Sequence, residues 1–300
     1  MPRHFRNPPD LLIVQGDTSS ALGAALAAFA AEVPVAHVEA GLRTHDVRLP
    51  WPEEEYRTAI DAAADLLFAP TETAAANLRS EQVPGEIHVT GNTAIDALLA
   101  AQAELPPRAE PRGGSRVVLV TCHRRESWGE GLRSIAAAIA ELARDSMVRF
   151  VLHPNPHVSA QMQSLLGSIE NVSLIAPCGH GALLGLMRDS DLVLSDSGGI
   201  QEEAPALGVP LLVLREKTER PEGVAAGSAR LVGVSTERIV NEAKRLLGDP
   251  TVLAAMSRRT FPYGDGRAAP RIAAIIEEWL ERRGRLFPRA SATPKTAGSR

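Results

Sequence analysis

Residues Asp191–Leu214 read "DLVLSDSGGIQEEAPALGVPLLVL": an apolar run, a double glycine, a helix-length stretch and a second apolar run. Continuous apolar runs joined through a helix mark parallel strands covered on both faces. A glycine pair at such a strand-to-helix junction exposes backbone N–H groups to an anion. Gln201, Glu202 and Glu203 follow at once, and carboxylates there would repel one. The ligand that satisfies both features has an anionic end for the glycines and a hydroxyl-rich end for the carboxylates.

The same alternation extends in both directions. Toward the N-terminus, "DLLIVQG", "VPVAHVE", "ADLLFAP" and "EIHVTG" read as strands, separated by helical stretches such as "SSALGAALAAFAAE" and "NTAIDALLAAQAE". Beyond Leu105–Ser115, a Pro-, Gly- and charge-rich linker, it restarts with "RVVLVTC", "VRFVLH", "VSLIAP" and "DLVLSDS". Two such βα arrays predict an α/β protein with two doubly wound parallel sheets. The predicted divisions are an N-terminal domain over 1–108, a second over 115–265, a C-terminal helix over 266–283 packing back on the first domain, and a disordered tail over 284–300.

Composition narrows the function classes. The net charge of −4 argues against nucleic acid, whose phosphates demand a basic face. No apolar run is long enough to span a bilayer, and "MPRHFRNPPD" lacks the apolar core of a secretory signal. The expectation is a cytoplasmic enzyme with no membrane partner. Cys122 and Cys178 lie far apart and read as reduced thiols. Cys122 and its neighbour His123 should point to opposite faces at a strand end, so a dyad is not expected. The prolines of "HPNPH" (His153–His157) exclude the helix that would align two metal-binding rings. No metal is predicted. No G-x-G-x-x-G or G-x-x-x-x-G-K-[ST] pattern occurs, which argues against a dinucleotide enzyme or a P-loop NTPase.

In doubly wound sheets, ligands bind beyond the carboxyl ends of the strands. The residues there include Asp17, Glu39, His123 and Ser197–Gly199. Asp17 alone would pass for a helix cap, whereas a strand-end Glu39 followed by Ala-Gly has little structural reason to be there. Glu53, Glu54 and Glu55 suit a first helical turn, and one of them could still face the cleft. "HRRE" at His123–Glu126 offers adjacent arginines for phosphate or carboxylate. Arg220, in "TERPE", lies close after a strand of the same half and is placed to grip a diphosphate.

The series "GDT", "HVEAGLRT", "PWPEE", "GNTAIDAL", "HRRES", "HPNP", "DSGGIQEEAPALGVP", "TERPE" and "PYGDG" resembles the motifs of the non-hydrolysing UDP-N-acetylglucosamine 2-epimerases, in their order and spacing. The resemblance implies two Rossmann-like domains in a GT-B arrangement, the second binding UDP. It also implies interconversion of UDP-GlcNAc and UDP-ManNAc, a UDP-sugar partner, no cofactor, a homodimer, and a place in cell-envelope polysaccharide supply. Carried over, the catalytic residues fall on Asp17, Glu39, Glu53 and His123. The nucleotide contacts fall on Ser197, Gly198, Gly199, Glu203 and Arg220: backbone at the glycines for the diphosphate, Glu203 for the ribose, Arg220 for phosphate charge.

The implied chemistry breaks the anomeric C–O bond first, which acidifies the neighbouring C2–H. UDP leaves, a base removes the proton, and a glycal-type intermediate is reprotonated on the opposite face as UDP returns. Two departures accompany the resemblance. The family's opening βα segment, with its "GTRPE"-like loop, has no counterpart here, so the expectation is an N-terminally truncated member with an incomplete first sheet and an exposed edge. The loop near Pro177, "PCGHGALLGL", lacks the aromatic residues that would pack a uracil. A GT-B glycosyltransferase, a hydrolysing epimerase and an inactive UDP-sugar binder remain open as alternatives.

Overall fold

The computed structural model describes residues 8–106, 114–124 and 128–286. Arg125, Glu126, most of the Leu105–Ser115 linker and the tail beyond Leu286 lie outside the described residues. The N-terminal half runs β1 (Leu12–Gln15), α1 (Ser19–Ala30), β2 (Val35–Val38), α2 (Glu53–Ala63), β3 (Leu66–Ala69), α3 (Glu72–Glu81), β4 (Glu86–Val89) and α4 (Thr93–Ala103). Its four strands are all parallel and stand in the order β1-β2-β3-β4.

The second half begins with β5 (Arg116–Thr121), α5 (Glu130–Leu142), β6 (Ser146–Val151), α6 (Pro156–Leu166), β7 (Val172–Ile175) and α7 (His180–Arg188). It continues through β8 (Leu192–Ser195), α8 (Gly198–Leu207), β9 (Leu211–Val213), α9 (Pro221–Ala225) and β10 (Ala229–Leu231). Here the parallel order is β10-β9-β8-β5-β6-β7. The strand order reverses direction between β5 and β8, which is where a doubly wound sheet opens a crevice for ligand. Three more helices follow among the described residues: α10 (Thr236–Gly248), α11 (Pro250–Met256) and α12 (Ala268–Leu286).

The elements form for reasons legible in the residues. Thr18, Thr71 and Asn92 cap α1, α3 and α4 by accepting backbone N–H bonds, which satisfies donors that have no partner inside the helix. β2, β3 and β8 are buried along their whole length, as strands between two helical layers must be. β1, by contrast, stands at an edge. Ile13 on it and Leu26 and Phe29 on α1 are 54%, 51% and 67% exposed, an apolar flank of the kind that invites pairing.

The two halves exchange helices. Ile95 and Leu98 of α4 are fully buried in the core of the second half, beside Leu184, Met187, Ile200, Ala204 and Tyr263. In return, Ile272 and Trp279 of α12 pack on Ala36, Val38, Leu66 and Phe68 of the first sheet. The crossing point is tight: a Cβ on Gly264 would lie 3.0 Å from the Gly91 Cα, so only glycine fits there. α12 also runs past the predicted start of the tail, through Gly284 to Leu286. Its glycine is carried inside the helix rather than ending it, at the modest cost of a flexible residue.

Candidate active site

Three segments, the end of β1, the loop leading into α2 and the end of β5, meet around one cleft of about 730 Å³. Asp17, Glu53, His123 and Arg124 line it, with Arg48, Trp51 and Tyr56 at its sides. Asp17 follows β1, and its carboxylate is held by the Arg57 guanidinium. Arg57 sits one turn along α2 from Glu53 and also faces Glu54 at 3.2 Å. The three adjacent glutamates divide by geometry. Glu54 turns inward, where its Oε1 accepts the N–H groups of Thr44 and His45 at 2.8 and 3.0 Å. Glu55 faces outward, and Glu53 alone of the three lines the cleft.

Glu39 follows β2 in a left-handed backbone conformation, φ +68°. That region is unfavourable for a side-chain-bearing residue, and functional sites are where such strain collects. The turn brings its carboxylate toward Gly16, where an added Cβ would meet Glu39 Oε2 at 3.4 Å. Gln15 Nε2 donates to the other oxygen at 3.4 Å. Glu39 stands beside the cleft rather than among the residues lining it.

His123 and the double glycine are joined by Asp196. Its two oxygens accept the backbone N–H groups of His123 and Arg124 at 2.7 and 2.9 Å. Burial lowers the His123 pKa; Asp196 opposes this, and His153 and Arg124 add to it. The His123 and His153 rings lie 5.8 Å apart. His123 therefore faces the cleft as a neutral imidazole near pH 7.

Ser197 is the N-cap of α8, and Gly198 and Gly199 are its first two helical residues. The Gly198 and Gly199 N–H groups have no partner within the helix, a geometry suited to an anion, while the Ser197 N–H donates to the Ser195 Oγ at 3.0 Å. Glu203 is buried one turn on, and its Oε1 is 2.6 Å from the His180 Nε2. Burial raises the Glu203 pKa, and His180 opposes the rise. His180 begins α7 in the very loop where the sequence shows no aromatic ring of the Phe, Tyr or Trp type.

Arg220 is not among the residues that line the cleft. Its guanidinium is buried, bonded to Glu202 at 2.5 Å and to Glu219. It lies so close under α8 that a Cβ on Gly198 would be 2.7 Å from its Nη1. Four arginines, led by Arg220 and Arg215, hold Glu219 well below the usual carboxylate range despite burial. Glu202 has only Arg220 among its cations and feels Glu39 and Glu203, so burial prevails and its pKa rises to about 7. Asn92 of the first half donates to Glu202 at 2.9 Å, and Arg124 links Glu53 with Glu219 at 3.5 and 3.7 Å. Arg57 is not singled out from the sequence; Asp196 reads there only as a strand-end residue and Glu219 only as part of a charged turn. Asp196 carried a signal, its place at a strand end, and Arg57 another, one turn beyond the acidic triplet.

Among the described residues no group of His, Cys, Asp and Glu is arranged to hold a metal ion, and no helix is long and apolar enough to cross a membrane. The family profile described as UDP-N-acetylglucosamine 2-epimerase matches residues 5–277. The chain belongs to that family. It is 46% identical over 286 residues to the UDP-N-acetylglucosamine 2-epimerase of Salmonella typhimurium, covering 90% of this chain and 76% of that protein. Its similarity to the Escherichia coli K12 protein of the same name is 46% over 284 residues, with 90% and 76% covered. The crystal structure of the Neisseria meningitidis UDP-GlcNAc 2-epimerase bound to UDP-GlcNAc superposes with a TM-score of 0.86 at 43% identity, over 90% of this chain and 76% of that one. A sucrose-phosphate synthase from Thermosynechococcus elongatus superposes at 18% identity with a TM-score of 0.57, a likeness of fold alone. The two parallel sheets are thus the GT-B-like, Rossmann-type arrangement of this family's solved structures.

Proposed function

We propose that this chain interconverts UDP-N-acetylglucosamine and UDP-N-acetylmannosamine without hydrolysis. The observation that carries the reading is the convergence of Asp17 and Glu53 from one half and His123 from the other on a single cleft, tied through Asp196 to the N-terminus of α8. The C2 hydrogen of the sugar is not acidic until the bond from C1 to the UDP oxygen stretches. As that bond breaks, its electron pair leaves with UDP and C1 becomes cationic. A carboxylate then takes the C2 proton, and the C–H pair forms the C1–C2 double bond. Return of a proton to the other face of C2, with UDP attacking C1 again, gives the epimer.

Each demand has a candidate in the site. Asp17, Glu39 and Glu53 supply acid and base groups on more than one side of the cleft. The α8 N–H groups at Gly198 and Gly199 and the His123 imidazole take the departing diphosphate. Glu203 receives the ribose hydroxyls. Arg220 acts from beneath, its positive charge set between Glu202, Glu219 and the first turn of α8, rather than as a direct clamp. The same reading carries a homodimer, which sedimentation would check, and a cytoplasmic location, which cell fractionation would check.

Incubation with UDP-GlcNAc in deuterated water tests the proposal. Deuterium at C2 in both UDP-sugars supports it. Free ManNAc would instead favour a hydrolysing enzyme, transfer of the sugar to an added acceptor a glycosyltransferase, and UDP binding without exchange an inactive binder.

A further inference from the structure

Beneath the three carboxylates lies a buried pair that the chemistry above does not use. His37 on β2 and Asp61 on α2 are both fully buried. His37 Nδ1 is 2.5 Å from Asp61 Oδ1, and His37 Nε2 is 3.0 Å from the Gly16 carbonyl oxygen. Asp61 Oδ2 accepts the Gly41 N–H at 3.1 Å and faces the Arg43 guanidinium at 2.8 Å. Arg43 in turn is bound to Glu81 of α3 through two bonds of 2.8 and 2.6 Å. The Gly16 carbonyl can only accept, and Asp61, set against an arginine, accepts too. The His37 ring is thus held at both nitrogens, by Asp61 at Nδ1 and by the Gly16 carbonyl at Nε2.

The placement of the partners is what gives the pair a meaning beyond stability. Gly16 immediately precedes Asp17. His37 lies two residues before Glu39, and Gly41 two residues after it, so the pair grips the strained Glu39 turn from both ends. Asp61 is two turns along α2 from Glu53. One buried imidazole and one buried carboxylate thus join the three separate segments that carry Asp17, Glu39 and Glu53. Neither residue lines the cleft. A hydrogen bond fixed at both ends, inside a dry core, holds its segments to a narrower range of positions than packing alone.

We propose that His37 and Asp61 are positioning residues for the epimerisation, setting the mutual placement of Asp17, Glu39 and Glu53 while leaving the nucleotide end of the site untouched. This rests on the functional reading above. Misplacement of reacting groups by about 1 Å can cost on the order of 100-fold in rate, so the pair has leverage on turnover without touching substrate.

The test uses His37→Gln, which keeps one donor, and Asp61→Asn, with the full chain. Measured are kcat, KM, C2 deuterium uptake, UDP affinity by calorimetry, and melting temperature. A control, Ile60→Val, weakens the same stretch of α2 at the fully buried neighbour without touching the pair. The expected result is a fall in kcat of about 10- to 100-fold for both pair variants, with UDP affinity within about threefold of the wild type. The double variant should be no slower than the slower single, because the two act as one unit, and Ile60→Val should lower the melting temperature with kcat unchanged.

Wild-type kcat in a folded pair variant would overturn the proposal. So would a parallel loss of kcat and UDP affinity, or an Ile60→Val control that loses kcat in proportion to its melting temperature. If one single variant does not fold, the other is read by the same outcomes. If neither folds, the double variant decides: wild-type kcat in it, or failure to fold again, refutes a role in positioning. Absence of C2 exchange in the wild type itself is a different result, since it removes the epimerase reading rather than the pair alone.

Discussion

The two halves are built by one rule and stand in different conditions. The second sheet has six strands, with its central strands β5 and β8 flanked on both sides, and it supplies the α8 N-terminus, Glu203 and His123. The first has four, ends at β1, and leaves Ile13, Leu26 and Phe29 in solvent. Yet the first supplies all three carboxylates. On the functional reading proposed above, the labour divides: the second half offers the cradle for the nucleotide, while the first carries the groups that would move protons. Buried polar ties, such as His37–Asp61 and Arg43–Glu81, join its strand ends to its helices.

The sharpest break of that division is Glu53→Gln. It should lower the rate of C2 exchange by about 100- to 10,000-fold, with UDP affinity by calorimetry within about threefold. Loss of UDP affinity in parallel would mean that the halves do not divide the work in this way. Next in size is Leu98→Ala. α4 belongs to the first half in sequence, but Leu98 is buried in the core of the second, so a loss of about 2–5 kcal/mol is expected in denaturant unfolding. The instability should appear in the second half, as faster amide exchange in α7 and α8.

Glu202 sharpens the comparison through pH. Its pKa in the folded chain is raised to about 7 from 4.5, so the folded state holds a proton that the unfolded chain has lost. Stability should fall as pH rises from about 4.5 to about 7 and level off above, a change on the order of 3 kcal/mol at most. Glu202→Gln, which keeps the shape and an acceptor for Arg220, should flatten that slope. The measurement is the pH profile of unfolding free energy for variant against wild type. An unchanged slope would place the titration elsewhere.

The smallest effect is expected at the open edge. Phe29→Lys, at a side chain 67% exposed, should change stability by no more than about 0.5 kcal/mol. It should still reduce self-association in light scattering at high concentration. Equal association in both would show that this flank is not what makes copies of the chain meet.

Much of this was legible in the residues because alternation and strand ends are local signals. "DLVLSDSGG" announces a buried strand and the helix start behind it, and the fold places Ser197 as the cap of that helix. "LRTHDVRLPWPEEEY" announces an acidic first turn, but not that Glu54 folds inward onto the Thr44 and His45 amides while Glu53 turns out. That choice is set by the path of a loop with no periodicity of its own. The setting of Arg220 was hidden for a related reason. Its partner Glu202 reads as ligand-facing in sequence, and only the close approach of Gly198 shows that the guanidinium lies under the helix. The docking of α4 into the second core leaves no mark in the helix, since an apolar face is equally apolar whichever core receives it.

That exchange makes the molecule an interlocked object rather than two beads on a string. Ile95 and Leu98 are lodged in the far core, and Trp279 reaches back across the first sheet. Nicking the backbone between Pro106 and Gly114 should therefore yield two fragments that travel together through a sizing column, because each core keeps a helix contributed by the other half.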